Sequence, residues 1–378
     1  TVYRALQQAS RRIVDDVALR RALGMGPHLD WILELDREHG YESLLVRLDG
    51  FIGTDGRQRI IECNSLEPGA AQVFEAAFAT LPITQDITAR HPLRPLESYA
   101  YAGNAVRADL ARRGLSATPT VAMLDAVEGA DTLWLPHTAL QEGWRLLHVD
   151  AAMLRHHDGA LWAGDERIDL IHLSLSKVLD GSGPPAQVLE AIASGAARLP
   201  YGFSRAFCAH YKATFEVLSD PEHEGMFDVE TRRILQTHVP WTRVLHPRKT
   251  TFHGAEVDLV ELITKERERF VIKPSGAFGG AGVVLGWEAT EARWAQAMKI
   301  ARGMQCVVQE RVDLGPSDIY YELAQGGELT HRTFTADLNP LIWNGDHADG
   351  AVSRIASSGL HNAAGGGSIT SIWILDEN

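Results

Sequence analysis

A glycine-rich segment between two apolar runs carries the clearest chemistry in the sequence. Lys273 lies near the end of the run RFVIKP, and four of the next positions are glycine: Gly276, Gly279, Gly280 and Gly282. Glycines let a backbone approach a polyphosphate closely and point N–H groups at its oxygens, and a lysine adds a point charge there. A flexible hairpin with an extended lysine is the plainer interpretation. Without a ligand, however, so many glycines would be an entropic liability, so phosphate binding is favoured.

A second group of polar side chains lies near the N-terminus, in the segment LLVRLDGFIGTDGRQRIIECNS. Strand periodicity places Arg47 and Asp49 on one face of the first apolar run, and Glu62 and Asn64 on one face of the second. The Asp-Gly pair in the turn at 54–57 favours a tight hairpin. Pairing would bring together three oxygen ligands of the kind that Mg²⁺ prefers, with an arginine beside them to neutralise a phosphoryl group. For the hairpin alone, a solvated polar face is the alternative.

The run CVVQERV carries a third and weaker signal. A strand that leaves the core at Gln309 and Glu310 could hydrogen-bond an adenine edge through its backbone. Any edge strand has the same appearance, so this segment has meaning only beside the other two.

Motifs of the common nucleotide-binding and hydrolytic folds are absent. The sequence contains no GxxxxGK[ST], HExxH or GxSxG, which excludes a P-loop, a zincin and a nucleophile elbow. No GxGxxG follows a predicted strand. Cys63 lies between two proposed ligands, so strand alternation points it to the opposite, buried face, and we do not interpret it as a nucleophile.

Composition narrows the class of protein further. The chain has 378 residues, a net charge of −13 and a pI near 5.6, which argues against a nucleic-acid surface but allows a local cationic pocket. The three cysteines, Cys63, Cys208 and Cys306, are far apart, which suits a reducing, cytoplasmic protein. No apolar stretch is long enough to span a membrane. We therefore expect an acidic cytoplasmic enzyme that binds neither nucleic acid nor membrane.

The order of the predicted elements indicates an α/β fold with three parts. Residues 1–95 contain the polar hairpin and predicted helices over 2–23, 28–39 and 69–81, and a proline-bearing linker near residue 95 ends that part. Alternating helices and strands over 96–205 predict a small parallel-sheet unit. Residues 206–378 begin with helices at 206–238 and continue with strands and glycine-bearing loops.

Together these motifs resemble the ATP-grasp ligases, in an unusual order. In that family the lysine and glycine loop precede an adenine hinge, and an Arg-x-Asp strand and a Glu-x-Asn strand follow. Here Arg47-x-Asp49 and Glu62-x-Asn64 come first. The order is similar to the circularly permuted ATP-grasp group, of which the synthetase domain of glutathionylspermidine synthase is a member. The resemblance spans roughly residues 40–370 and implies a permuted ATP-grasp fold with an inserted Rossmann-like pre-ATP-grasp unit at 96–205.

Carried over by position, the resemblance implies a role for each matching side chain. Asp49, Glu62 and Asn64 would hold Mg²⁺ (or Mn²⁺), and Arg47 and Arg354 would face the reacting phosphoryl group. The residues that would bind ATP are Lys212, Lys273, Gly279, Gly280, Gly282, Gln309, Glu310 and Val312. Lys212 would lie on a helix, although Lys249 and Lys265 also precede the loop. Either Asp313 or Asp318 would bind the ribose, and Asn362 and Gly365–Gly367 would line the site.

The resemblance implies a carboxylate–amine ligase that forms an amide through an acyl phosphate and releases ADP and phosphate. Its partners would be a small-molecule carboxylate and an amine. A homodimer is compatible with this interpretation. An ATP-dependent phosphotransferase acting on a hydroxyl or carboxylate is the alternative within the same fold. A non-catalytic nucleotide-binding protein is less favoured, because such a protein could lose Asp49, Glu62, Asn64 and Lys273. The four cations Arg47, Lys212, Lys273 and Arg354 predict a cationic pocket in an acidic protein.

Overall fold

The computed structural model of the protein describes most of the chain. The described residues are 1–66, 80–91, 93–96, 98–124, 134–173, 185–301, 303–314, 318–323, 329–357, 359, 361, 367–370 and 372–375. The helix predicted at 69–81, and Asn362, Gly365 and Gly366, lie largely or wholly outside these residues.

The described part of the chain contains twelve α-helices. The helices are α1 (Val2–Asp15), α2 (Val17–Ala22), α3 (Asp30–Glu34), α4 (Pro82–Arg90), α5 (Ser98–Arg112), α6 (Trp134–Gln141), α7 (Ala186–Ala193), α8 (Ser204–His210), α9 (Thr214–Ser219), α10 (Val229–His238), α11 (Leu259–Lys265) and α12 (Glu291–Ala301). The predicted single helix over 2–23 is divided at Asp16, whose carboxylate accepts from the Leu19 N–H and caps α2. The helix predicted over 28–39 is shorter, a 3₁₀ turn at Pro27–Leu29 followed by α3.

A large antiparallel sheet joins the two ends of the chain. Its strands are β1 (Leu45–Ile52), β2 (Gln58–Asn64), β16 (Asp318–Leu323), β17 (Leu329–Ala336), β18 (Asn339–Trp343), β19 (His347–Ala356) and β20 (Ser368–Thr370). The order is β16-β17-β19-β18-β1-β2, and β20 pairs with β19. The N-terminal hairpin is therefore part of the same sheet as the C-terminal strands.

A four-stranded antiparallel sheet carries the lysine and the glycine loop. Its strands are β10 (Thr242–Val244), β13 (Phe270–Pro274), β14 (Val284–Leu285) and β15 (Cys306–Glu310), in the order β10-β15-β13-β14. A hairpin of β11 (Lys249–Phe252) and β12 (Ala255–Asp258) lies beside it in sequence. The buried side chains of Phe270, Ile272 and Val308 form one apolar core with α11 and α12, and this core fixes the sheet that presents Lys273.

The middle of the chain contains the predicted parallel sheet. Strands β4 (Thr120–Met123), β5 (Arg145–His148) and β9 (Leu170–His172) pair in parallel with β4 at the centre. An antiparallel meander follows β5: β6 (Leu154–His157), β7 (Ala160–Ala163) and β8 (Glu166–Ile168). At the predicted linker near residue 95, β3 (Leu93–Pro95) pairs with β21 (Trp373–Leu375). Among the described helices, none has the length and apolar composition needed to cross a bilayer.

Candidate active site

A cavity of about 350 Å³ lies between the large sheet and the four-stranded sheet. This volume is within the range of about 300–1,000 Å³ that is usual for small-molecule sites. Of the thirteen residues that the resemblance assigned to Mg²⁺, to the phosphates and adenine of ATP or to the reacting phosphoryl group, twelve line it: Arg47, Asp49, Glu62, Asn64, Lys212, Lys273, Gly279, Gly280, Gln309, Glu310, Val312 and Arg354. Gly282 is the exception. Side chains more than 300 residues apart in the chain, such as Asp49 and Arg354, thus share one cavity.

The register of the N-terminal hairpin is the predicted one. Asp49 lies opposite Glu62, and Arg47 lies opposite Asn64, in the antiparallel pair β1–β2. Gly56 in the turn has a φ of +74°, the left-handed conformation that the Asp-Gly signal predicts. Cys63 is buried on the other face, and burial raises the pKa of its thiol well above the usual range, so it does not supply a thiolate.

A bulge interrupts this hairpin directly after Asp49. The register shifts between Asp49 and Gly50, and a β-carbon at Gly50 would lie only 2.4 Å from the Arg59 carbonyl oxygen. Glycine is therefore required there by the close approach of two backbones. The Gly50 N–H donates to the Asn339 side-chain oxygen at 3.1 Å, which ties the bulge to β18.

Asp49 is buried between two arginines. The guanidinium of Arg47 donates to both carboxylate oxygens, from Nε at 2.6 Å and from Nη2 at 3.1 Å. Arg354 donates from Nη2 to Oδ2 at 2.7 Å. Burial opposes the charge on Arg354, but the carboxylates of Asp49 and Asp337 outweigh it and raise its pKa further.

Glu62 faces the first lysine of the site. Lys212 Nζ lies 3.3 Å from Glu62 Oε2 and donates to the Ala277 carbonyl oxygen at 2.8 Å. Burial alone would raise the pKa of Glu62, yet Lys212 and then Lys273 hold it well below its usual value. Glu62 is therefore a carboxylate at neutral pH.

The expectation that Lys212 lies on a helix is wrong. Lys212 lies in the turn between α8 and α9, because its N–H bonds to the Ser275 carbonyl oxygen at 2.9 Å rather than within a helix. The same contact attaches this turn to the start of the glycine loop. Of the two alternative lysines, Lys249 is exposed and pairs with Glu256, and Lys265 is exposed at the end of α11. Lys212 is thus the upstream lysine that reaches the cavity.

Lys273 is buried on β13 and points into the cavity. Its Nζ donates to Gln309 Oε1 at 2.7 Å, and Gln309 in turn donates to Thr242 Oγ1 at 3.0 Å and to the Ile61 carbonyl oxygen at 3.2 Å. Burial lowers the pKa of Lys273 to about 8, although Glu62 partly opposes that effect. A charge kept in a buried site without a carboxylate in direct contact is suited to an anionic ligand.

The glycine loop combines a lining segment with a packed end. Gly279 and Gly280 line the cavity with φ values of +59° and +74°. Gly282 has a φ of +73°, and a β-carbon there would lie 2.8 Å from Pro274 Cγ. Phe278 is partly exposed and stacks on the buried ring of His210 at 4.3 Å between centroids. The loop is therefore held against α8 while its glycine backbone faces the cavity.

The backbone of Gln309 and Glu310, predicted to bind adenine, is already hydrogen-bonded to neighbouring segments. Gln309 is paired with Thr242 on one side and with Val271 on the other, and the N–H groups of Glu310 and Arg311 donate to backbone oxygens. Val312 is the first residue beyond this ladder, and it lines the cavity. Of the two ribose candidates, Asp313 lines a second cavity of about 640 Å³ and not this one, and the side chain of Asp318 lies outside the described part of the structure.

The sequence analysis missed several lining residues, among them two acids and two residues with aromatic rings. Asp337 lies between β17 and β18, Trp287 and Glu288 follow β14, and His361 follows β19. Asp337 is buried, and burial raises its pKa to about 6 in spite of Arg354. Burial lowers the pKa of His361 to about 4, and Thr335 Oγ1 lies 2.6 Å from its Nε2. The short pattern Asp-x-Asn at 337–339 is the only local signal for any of them.

The chain is similar to a solved structure, although its sequence matches no known family. No protein-family model matches the chain, and no curated protein matches its sequence. Among solved structures, the chain is similar to the apo form of a glutathione synthetase-like effector from Globodera pallida, with a TM-score of 0.59 and 11% identity over 97% of this chain and 84% of that chain. The fold is glutathione synthetase-like. At this identity the similarity shows the mixed α/β fold alone and nothing about substrates.

The four cations of the predicted pocket, Arg47, Lys212, Lys273 and Arg354, line one cavity, but more acidic side chains line it than the Asp49 and Glu62 that were assigned to metal. Five described cationic side chains line it: Arg47, Lys212, Lys273, Arg311 and Arg354. Five described acidic side chains line it as well: Asp49, Glu62, Glu288, Glu310 and Asp337. The charges are therefore balanced, and an anionic ligand would need a cation beside it to offset the carboxylates.

The residues proposed for Mg²⁺ fit a hard cation by their donor set. Asp49 and Glu62 are cross-strand neighbours, and Asn64 adds an amide whose Nδ2 is buried without a hydrogen-bond partner among the described residues. In the described part of the chain, no three His, Cys, Asp or Glu side chains form a metal-binding group. The predicted set therefore depends on the amide oxygen of Asn64 beside two carboxylates.

Proposed function

We propose that the protein is an ATP-dependent carboxylate–amine ligase. The observation that carries the proposal is the convergence of Lys212, Lys273, the glycine loop and the polar hairpin on one cavity. The glutathione synthetase-like fold supports the same class, because that fold provides an ATP-grasp-related framework. The chemistry of such a ligase is mostly positioning and charge neutralisation, which these side chains can supply.

The phosphates of ATP would lie at the lysine end of the cavity. Lys273 and Lys212 supply two buried cations, and the N–H groups around Gly279 and Gly280 supply backbone donors. Lys273 already makes a hydrogen bond to an uncharged amide, so a phosphate oxygen can replace that partner at little cost.

The adenine would lie at the apolar end, against Val271, Leu285 and Trp287. The backbone of Val312 is the hinge group best placed to bind its edge, since the ladder ends before it. For the ribose we favour Glu288 or Glu310, because these carboxylates line the cavity and Asp313 does not. Glu310 also pairs with Arg269 at 3.1 Å and with His253 at 2.9 Å, which leaves Glu288 as the stronger choice.

Asp49, Glu62 and Asn64 would hold Mg²⁺, with Mn²⁺ as an alternative. The bound cation would supply charge neutralisation at the phosphates and offset the acidic side chains of the cavity. Arg47 and Arg354 both donate to Asp49 Oδ2 and would present their guanidinium groups to the reacting phosphoryl group.

The reaction would proceed in two steps. A carboxylate oxygen of the substrate attacks the γ-phosphorus of ATP, ADP leaves, and an acyl phosphate forms. An amine then attacks the acyl carbon, and phosphate leaves with the carboxylate oxygen while the nitrogen loses a proton. Arg47, Arg354 and Lys273 would stabilise the charge on the transferred group, and the docked glycine loop would exclude water from the acyl phosphate.

We also propose the permuted form of the ATP-grasp fold. The hairpin β1–β2 precedes the glycine loop in sequence, yet it pairs with β18 in the sheet of the C-terminal strands. The three parts 1–95, 96–205 and 206–378 remain a prediction, as do the homodimer, the cytoplasmic location and the absence of nucleic-acid and membrane partners.

A phosphate-release assay tests this proposal. The protein is incubated with Mg-ATP and a panel of carboxylic acids and amines, singly and in pairs. We expect sustained phosphate release for a pair that contains one acid and one amine, because the amine is needed to discharge the acyl phosphate. Steady release that is independent of the amine in every combination would contradict ligation.

A further inference from the structure

Asp337 holds Arg354 through both its backbone and its side chain. Asp337 is 4% exposed. Its Oδ1 accepts from the Arg354 backbone N–H at 2.6 Å, and its Oδ2 accepts from Nε at 2.7 Å and lies 2.6 Å from Nη2. The Asp337 N–H donates to the Arg354 carbonyl oxygen at 3.0 Å. One residue on the neighbouring chain segment therefore fixes the start and the end of the arginine side chain.

The guanidinium of Arg354 is shared between two carboxylates. Nη2 lies 2.7 Å from Asp49 Oδ2 and 2.6 Å from Asp337 Oδ2, and Nε donates to Asp337. A contact through two guanidinium nitrogens orients the plane of the group, whereas a contact through one does not. The orientation of Arg354 is thus set by Asp337 more than by Asp49.

Asn339 joins this arrangement to the strand that carries Asp49. Its Nδ2 donates to Asp337 Oδ1 at 2.7 Å, and its Oδ1 accepts from the Gly50 N–H at 3.1 Å. Asn339 is fully buried, so these bonds are shielded from water. The position of Arg354 relative to Asp49 is fixed by this chain of bonds as well as by their direct contact.

Asp49 has competing partners. Its two oxygens already accept three hydrogen bonds, two from Arg47 and one from Arg354. A divalent cation at Asp49 would compete with both guanidinium groups, because like charges repel at such distances. Asp337 carries the only other described carboxylate that forms an ion pair with Arg354.

We propose that Asp337 is a positioning residue that keeps the Arg354 guanidinium directed at the terminal phosphate of ATP while Asp49 contacts a divalent cation. The inference rests on the proposed function, since it places Mg-ATP in the cavity. Asp337 does not touch the reacting atoms; it acts through Arg354.

The test is a double-variant cycle on nucleotide binding. Wild type, Asp337→Asn, Arg354→Lys and the double variant are titrated calorimetrically with Mg-ATP and with Mg-ADP. Loss of one charge-assisted contact to the terminal phosphate corresponds to about tenfold in affinity. We expect Asp337→Asn to reduce the preference for ATP over ADP by about tenfold and to change the affinity for ADP by less than about twofold. Arg354→Lys should cause a similar loss, and the double variant should lose no more.

The outcomes separate this inference from the proposed function. Asp346→Asn, at an exposed position in the turn between β18 and β19, is the matched control and should leave the preference unchanged. An unchanged preference in Asp337→Asn, or losses that add in the double variant, would overturn the inference. If Asp337→Asn does not fold, Asp337→Glu replaces it, and an unchanged preference in that variant has the same meaning. A wild-type protein that binds neither nucleotide would instead overturn the proposed function.

Discussion

Replacing Glu62 with glutamine is expected to reduce turnover by about 10²- to 10³-fold, the usual effect of losing one charge-stabilising group in an active site. Glutamine keeps the size of the side chain but removes the charge that pairs with Lys212 and that we assign to Mg²⁺. ATP should still bind, because Lys212, Lys273 and the glycine loop remain. Phosphate release with the active acid and amine, and a parallel ATP titration, measure the two quantities separately.

Glu256→Gln provides the matched control for this variant. Glu256 is exposed on β12 and pairs with Lys249 outside the cavity, so its substitution should change neither turnover nor ATP affinity. Turnover of Glu62→Gln within a factor of about two of wild type would contradict the metal assignment, because loss of a ligand to a catalytic cation reduces turnover.

Replacing Lys273 with methionine is expected to weaken ATP and ADP binding alike, by about 10- to 100-fold. The methionine fills the same volume without the charge that we place on the phosphates. Burial lowers the pKa of Lys273 to about 8, so the protonated lysine destabilises the folded protein at neutral pH. The variant should therefore be at least as stable as wild type at pH 7, which separates a loss of binding from a loss of fold.

The same pKa predicts how wild-type binding depends on pH. Phosphate favours the charged lysine, so nucleotide affinity should fall as pH rises through about 8, and Lys273→Met should lack that dependence. In the absence of ligand, the free energy of unfolding depends on pH in the opposite direction from nucleotide affinity. The unfolded lysine binds its proton up to its ordinary pKa near 10.5, so stability rises from about pH 8 to that value.

Lys265→Met is the control for the second variant, since Lys265 is exposed at the end of α11. Calorimetric titrations with ATP and ADP from pH 6.5 to 9 measure the affinities, and denaturant titrations measure stability. Nucleotide affinity in Lys273→Met equal to wild type at every pH would show that this lysine does not contact the phosphates.

The parts of the site that sequence analysis predicted depend on local patterns. Period-2 alternation and an Asp-Gly turn determine which face Arg47, Asp49 and Glu62 share, and β1–β2 has that register. The glycines of the loop are needed where φ is positive or where Pro274 approaches, which is a local requirement as well.

The parts that were missed depend on contacts between distant segments. Lys212 leaves its helix because its N–H bonds to Ser275, more than 60 residues later in the chain, and helical periodicity cannot report such a bond. Asp337 is linked to Asp49 through Arg354, and to the strand of Asp49 through Asn339, only after β18 has paired with β1. The balance of charges in the cavity was missed for the same reason. Glu288 and Asp337 lie outside the predicted motifs, and Glu310 was assigned to the adenine hinge.

The central claim is that a substrate carboxylate is activated by phosphoryl transfer and then joined to an amine. Oxygen tracing tests it most directly: the acid of the active pair is labelled with ¹⁸O in its carboxylate, the reaction is run with unlabelled Mg-ATP in unlabelled water, and both products are analysed by mass spectrometry. The account predicts one ¹⁸O in the released phosphate and an amide that retains the other. Unlabelled phosphate, or a stable phosphate ester in place of an amide, would contradict it.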